Sequence, residues 1–339
     1  PWDKDRMMPA GLERILPTVV RPARYTGNEW NSIRKEPQGR LRVALAYPDV
    51  YEESVCDPLA QSVYHVLNRE DDILCERVYT PWADMDVALK QSGIPLYALE
   101  SQRPLLDFDV VLVMLPAELY YPTLLTLLDL ATMPLRAAER RGQGYPFVMG
   151  IGPATANPEP MADFCDAFLI GDVDGQALRA AVAALRSTPA VLPIGLYIPH
   201  LYSIAYHADG GIASIAPARQ VAAYRSAEAH PQVVRPIVPF VESRREQGIV
   251  ELERPHPYPW LARERQERPV PEILAAVEAV LGSTGYTQVV LAGWHSHVDE
   301  IVSSLSARYG GTIVNITLDT VPGTPEAVDA PGKLNEFRP

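Results

Sequence analysis

Cysteine is scarce in this 339-residue chain, with only Cys56, Cys75 and Cys165. The count is odd, the spacing is wide and no CxxC occurs, which excludes a disulfide framework and leaves no obvious cysteine metal motif. Cys75 and Cys165 fall in or beside apolar strand-like runs and read as small buried hydrophobes. Long hydrophobic runs are absent too: none reaches the roughly 18 uncharged apolar residues of a membrane span. The opening PWDKDRMMPAGLERIL lacks the pattern of a signal peptide, so a cytoplasmic protein with no membrane contact is expected. Positive charge is short: 30 Lys and Arg against 42 Asp and Glu give a net charge of −12. That balance argues against direct nucleic-acid binding, which rests on phosphate neutralisation. The small basic group Arg136, Arg140 and Arg141 reads as a solvated face at a helix end.

Apolar residues make up 47 % of the chain, enough for a sizeable core, and the 33 prolines are about twice the usual share. The stretch 146–175, PFVMGIGPATANPEPMADFCDAFLIGDVDG, holds two short apolar runs, Phe147–Ile151 and Ala167–Ile170. Each ends in glycine, and glycine just past a strand lets backbone approach a ligand closely or simply makes a tight turn. In an open parallel sheet the ligand crevice lies beyond the carboxyl ends of the strands.

In chain order, the spacing predicts a strand at Leu41–Tyr47, a helix over Ser54–Asn68 and a strand at Ile73–Tyr79. A helix follows at Ala83–Gln91, then a buried strand at Asp109–Leu115 and an apolar helix at Leu119–Leu130. The 146–175 unit and a helix at Gln176–Arg186 complete an α/β pattern of about five strands, a flavodoxin-like doubly wound parallel sheet. Beyond it, Tyr202–Tyr206 and Ile212–Ile215 read as a β-hairpin across His207–Gly211. Arg219–Phe240 reads as a proline-punctuated linker and Arg263–Arg268 as a solvated charge run. Strands at Gly248–Leu252, Gln288–Ala292 and Thr312–Leu318, with helices at Pro271–Leu281 and Val298–Tyr309, make a truncated β/α partial barrel or a small open sheet. The expected divisions are an N-terminal wrap at 1–40, the doubly wound domain at 41–187 and the hairpin with linker at 188–240. The β/α remnant follows at 241–320, with an irregular tail at 321–339.

Several phrases together resemble the uncharacterised radical SAM proteins that carry an N-terminal B12-binding-like domain. They include RYTGNEWNSIRKE (24–36), RVALAYPDVYE (42–52), ERVYTPWADM (76–85), GIPLYALES (93–101), NPEPMADFCDAFLIGD (157–172) and RPIVPF (235–240). The resemblance implies a corrinoid, cobalamin, over Gly150, Gly152, Pro153, Asn157, Pro158, Gly171, Asp172 and Gly175. It also implies a [4Fe–4S] cluster on a CxxxCxxC loop, where soft anionic thiolates are the ligands that tolerate the redox change. Here the corresponding stretch, 250–265, contains no cysteine, and its lone His256 cannot replace three thiolates. Neither the cluster nor S-adenosylmethionine chemistry is therefore expected from this chain alone. The chain also lacks a D-x-H-x-x-G motif for a lower cobalt ligand, and His65 falls inside a helix as a packing residue. The expectation is a degenerate, non-catalytic relative that binds a corrinoid or serves as a scaffold. Its expected partner is an intact radical SAM protein or a second copy of itself. A radical SAM subunit relying on a partner's cluster is the related alternative.

An enzyme alternative rests on Trp294-His295-Ser296-His297-Val298-Asp299-Glu300. His295 and His297 sit two apart at a strand's carboxyl end, and could ligate zinc or iron if a third ligand came from elsewhere. Asp299 and Glu300 equally suit the first turn of a helix. Ser296 beside a histidine is not a catalytic triad, because adjacency fixes no orienting geometry. Glu118–Pro122, after the strand at 109–115, faces the crevice, where Tyr120 or Tyr121 could stack on a flat ligand but is expected to pack in the core or at the rim.

Overall fold

The computed structural model describes residues 11–187, 189, 191–217, 221–226, 230–242, 247–254, 266–309 and 315–319. The stretch 255–265 with His256, the first half of the Arg263–Arg268 run and the tail at 321–339 lie outside them. The chain divides into two compact units. One holds residues 1–28, 32–54 and 63–229, and the other 29–31, 55–62 and 230–339. The elements run α1 (Leu12–Ile15), β1 (Leu41–Tyr47), α2 (Tyr51–Ser54), α3 (Pro58–Arg69), β2 (Ile73–Tyr79), α4 (Ala83–Ser92), β3 (Val110–Met114) and α5 (Tyr121–Leu130). They continue with α6 (Ala137–Arg140), β4 (Phe147–Ile151), β5 (Ala167–Leu169), α7 (Gly175–Ser187), β6 (Leu196–Tyr197), β7 (Ser203–Tyr206) and β8 (Ile212–Ala216). Last come β9 (Gly248–Glu251), α8 (Val270–Thr284), β10 (Gln288–Ala292), α9 (Val298–Tyr309) and β11 (Asn315–Asp319).

In the first unit six strands lie in the order β2-β1-β3-β4-β5-β6, with β1 to β5 parallel. The order reverses between β1 and β3, as in doubly wound sheets. Every residue of β3, VVLVM, is buried, the continuous apolar run of a strand covered on both faces. The short β6 closes the sheet antiparallel, pairing Phe168 with Tyr197 and Leu169 with Leu196. Two residues carry no periodicity, so this strand left no signal in the sequence. β7 and β8 form the expected hairpin.

Two further expectations are corrected. The single helix over Ser54–Asn68 is two, because Pro58 opens a new helix and Asp57 Oδ1 caps it by accepting the Ala60 N–H at 2.8 Å. The basic face is not wholly solvated: Arg140 is buried, donating to the carbonyls of Pro134, Leu135 and Phe164 and to Asp166 Oδ2. Asp166 Oδ2 also accepts the Val148 N–H, so this pair ties the start of β4 to the approach to β5.

The second unit is built on a three-stranded parallel sheet, β11-β10-β9. Ile273, Ala276, Val277 and Val280 fall at helical spacing on α8 and pack with Val250, Leu252, Val289, Leu291, Ile301 and Leu305. No helix among the described residues is long and apolar enough to cross a membrane.

Within β2, Glu76 is buried, accepting the Ser101 N–H at 2.9 Å near the buried Arg77–Glu100 ion pair. Burial, and then the Glu100 charge, push its carboxyl up to about 7. The native state therefore holds a proton on Glu76 that the unfolded chain releases from about pH 4.5 upward. This stabilisation is complete below that pH, falls as pH rises and is gone above about 7, on the order of 3 kcal/mol in total. Urea unfolding at pH 5 and pH 8 measures it: Glu76→Gln should flatten the fall seen in the parent chain.

Candidate metal centre

β10 ends at Ala292, and the chain turns at Gly293, whose φ of +100° suits glycine. The next residues lead into α9 and set His295, Ser296 and His297 at the carboxyl end of the sheet. His295 is buried. Its Nε2 lies 2.8 Å from the Arg268 carbonyl, which can only accept, so Nε2 carries the proton. Its Nδ1 accepts the His297 backbone N–H at 3.0 Å. In this arrangement the Nδ1 lone pair is taken up by the His297 N–H.

Glu267 is the candidate for the third ligand that the sequence left open. Just past β9 the chain pairs antiparallel with the segment that precedes α8. Arg254 N–H donates to Gln266 O, Arg268 N–H donates to Leu252 O, and Glu253 bridges Glu267. This places Glu267 Oε2 at 3.6 Å from His295 Nδ1. Ser296 Oγ donates to Glu267 Oε2 at 2.7 Å and lies 2.9 Å from His297 Nδ1. One ligand atom from each of Glu267, His295 and His297 falls within 4.8 Å of the others. Burial raises the Glu267 carboxyl, but the Ser296 hydroxyl and amide, then the two imidazoles, outweigh it and hold it below the ordinary carboxylate range. Glu267 is half-buried and His297 exposed, so the cluster opens to solvent.

Zinc binds imidazole and carboxylate at about 2.0–2.2 Å, and a metal-bound histidine generally gives its other ring N–H to a carbonyl or carboxylate. His295 already makes that second bond, to Arg268 O. The serine lies between the carboxylate and the histidine, the reverse of a triad's order, so this is no Ser nucleophile site. Asp299 and Glu300 lie in the first turn of α9, as helix-start residues. Arg268 corrects the expectation of a solvated charge run, since it is buried.

The glycine-lined face of the first unit holds its own chain. Gly171 has φ +111° and pairs with Tyr224: Tyr224 N–H donates to Ile170 O and Asp172 N–H to Tyr224 O. A Cβ on Gly171 would lie 2.2 Å from Tyr224 O. Asp172 Oδ2 accepts the Ser226 N–H, and Tyr224 OH donates to Asp174, which also caps α7. Residues 224–226, expected as free linker, thus form a strap across the end of β5. Gly150 lies against Phe168, Gly152 against Leu115 and Met114, and Gly175 against Glu70. Pro153 and Pro158 are half-buried and Asn157 is exposed. Tyr120 packs edge-on to Tyr47, and His65 edge-on to Tyr64.

A [4Fe–4S] cluster does not fit the three cysteines. Cys75 on β2 and Cys165 before β5 are separated by β1, β3 and β4, on the order of 20 Å at sheet spacing. Burial raises both thiols, that of Cys165 to about 12, away from the thiolate form a cluster needs.

Residues 60–189 match the family model described as "Radical SAM proteins, N-terminal". No curated protein matches the chain. The matched stretch runs from α3 through β2–β5 to α7, and it is radical SAM-related in sequence.

A corrinoid on the glycine face requires the strap at Tyr224 to leave. Hydroxocobalamin mixed with the protein should therefore elute apart from it on gel filtration. A coloured protein peak at one corrinoid per chain would show that the strap gives way.

Proposed function

We propose that this chain is a radical SAM-related protein that binds a first-row divalent metal ion, zinc for preference, through Glu267, His295 and His297. The observation that carries this reading is the gathering of one ligand atom from each of Glu267, His295 and His297 within 4.8 Å, with His295 Nε2–H held by Arg268 O; metal binding would draw His295 Nδ1 away from the His297 N–H that it accepts in the free protein. Two imidazoles and one carboxylate are a donor set that zinc favours, and three protein ligands leave a fourth position for water. A zinc ion held there would lower the pKa of a bound water, which is chemistry of the hydrolytic kind. In this reading Ser296 steers Glu267 and His297, while the buried Arg268 carbonyl holds His295.

An assembly role, beside an intact radical SAM protein or a second copy of this chain, is the second reading. It draws on the sheet β11-β10-β9, whose outer strands have no further strand beside them among the described residues. That reading needs no metal.

Titration of the apo full-length chain with cobalt(II), followed by visible absorption and metal analysis, tests the proposal. One cobalt per chain is expected, displaced by zinc. His297→Ala and Glu267→Gln should each weaken binding by at least about 100-fold, and Ser296→Ala, which removes an outer-shell bond, by about tenfold. Absence of a stoichiometric complex, or equal binding by His297→Ala, overturns it.

A further inference from the structure

The first unit contains a small aromatic-walled cavity beyond the carboxyl ends of β1 and β2, in the region where open parallel sheets take ligands. It encloses about 20 Å³. Tyr25, Tyr51, Tyr79 and Trp82 supply most of its ring surface, with Tyr51 and Tyr79 edge-to-face at 5.4 Å. Two polar side chains line it with work left undone. Arg24 is nine-tenths buried, and its Nη1 makes no well-aligned hydrogen bond, although the guanidinium also interacts with the Tyr25 hydroxyl. Thr80 Oγ1 is buried and unpartnered. Buried polar atoms rarely stay unpaired, so two in one cavity ask for something that binds both.

The unpaired groups say which sign. Arg24 commits Nε and Nη2 to Glu52 Oε1, and Arg21 Nη1 binds the same oxygen. Two guanidiniums thus share one carboxylate oxygen, with Asp84 also close to Tyr25, so the sign follows from which groups are left unpaired. Glu52 Oε2 is unpaired as well, but Glu52 does not line the cavity. The unpaired groups on the lining are donors: a guanidinium N–H and a hydroxyl. Their complement is a carboxylate, one oxygen on Arg24 Nη1 and the other on Thr80 Oγ–H. The enclosed space suits one or two water-sized atoms, at about 10–15 Å³ each, so only the head group enters. The rest of such a ligand would lie against the rings, ending at Trp82, which is half exposed and carries the Arg24 guanidinium 5.4 Å above its ring.

We propose that this cavity is a binding site for a small planar carboxylate, held at its head by Arg24 and Thr80 and along its body by Tyr79 and Trp82. The site lies wholly in the first unit and does not depend on the metal reading.

Benzoate titrated into the full-length protein, read by tryptophan fluorescence, tests it. A saturable change with Kd of about 0.1–1 mM is expected, reasonable for so small a ligand. The change should vanish in Trp82→Phe. Thr80→Val keeps the side-chain shape, and should weaken binding about tenfold by removing one charge-assisted bond; its circular dichroism should match the parent. Acetate and inorganic phosphate should bind at least about tenfold more weakly than benzoate, by lack of ring contact. No saturable change, equal affinity in a folded Thr80→Val, or phosphate or acetate binding as well as benzoate would overturn the assignment.

Discussion

Arg268 is a buried cation, and the second unit's site follows from how its charge is met. Its Nη2 binds Glu251 at 3.0 Å and the His230 carbonyl at 2.8 Å, and its Nη1 binds Glu272 at 3.1 Å. Burial raises the Glu251 carboxyl and the Arg268 charge pulls it back, so each partner limits the other's cost of burial. A buried charge cannot drift from its partners without being left uncompensated, which costs several kcal/mol. The backbone of Arg268 is therefore pinned, its N–H on Leu252 and its carbonyl on His295. Glu267, one residue earlier, has little choice but to stand beside the histidines. The side chain of Arg268 never touches the candidate ligands, yet its backbone orients one and its position delivers another.

This explains why two of the three cluster residues were legible in the sequence and the third was not. His295 and His297 follow a strand, Gln288–Ala292, and precede a helix, Val298–Tyr309, both marked by clear periodicity and both found at those bounds. Their place at a carboxyl end could be read directly. Glu267 could not, because it arrives through a short antiparallel pairing with residues 252–254, which leaves no repeat in composition. A mixed charge run looks solvated whenever its partners are distant in sequence. Arg140 hides for the same reason: its acceptors are backbone carbonyls and Asp166, none marked locally. The break at Asp57-Pro58, by contrast, did leave a local signal, a cap followed by proline, which the single helix expected over Ser54–Asn68 overrode.

Glycine is the ambiguous signal in this chain. A missing Cβ admits a ligand or a neighbouring backbone on the same steric terms. At Gly171 the space is taken by Tyr224, with a pair of backbone hydrogen bonds that no foreign group needs to supply. A strand end rich in glycine thus marks close approach, and the identity of what approaches comes from elsewhere in the chain. The strap lay in a proline-punctuated stretch without periodicity, where a single bridging residue gives no warning.

The two kinds of metal chemistry in question are separated by donor type, not by fold. An iron–sulfur cluster needs several thiolates on one loop, and thiolates need a positive or polar setting to stay ionised. The cysteines here have the opposite setting: Cys75 on β2 and Cys165 just before β5 are buried, and burial favours the neutral thiol. Glu267, His295 and His297 instead gather nitrogen and oxygen donors at a solvent-open strand end, which suits a borderline divalent ion with no redox work to do. Similarity to the radical SAM N-terminal region covers 60–189, a stretch containing none of these three residues. The matched frame and the candidate ligands therefore lie in different parts of the chain, and a fold does not by itself fix the chemistry of a site it carries.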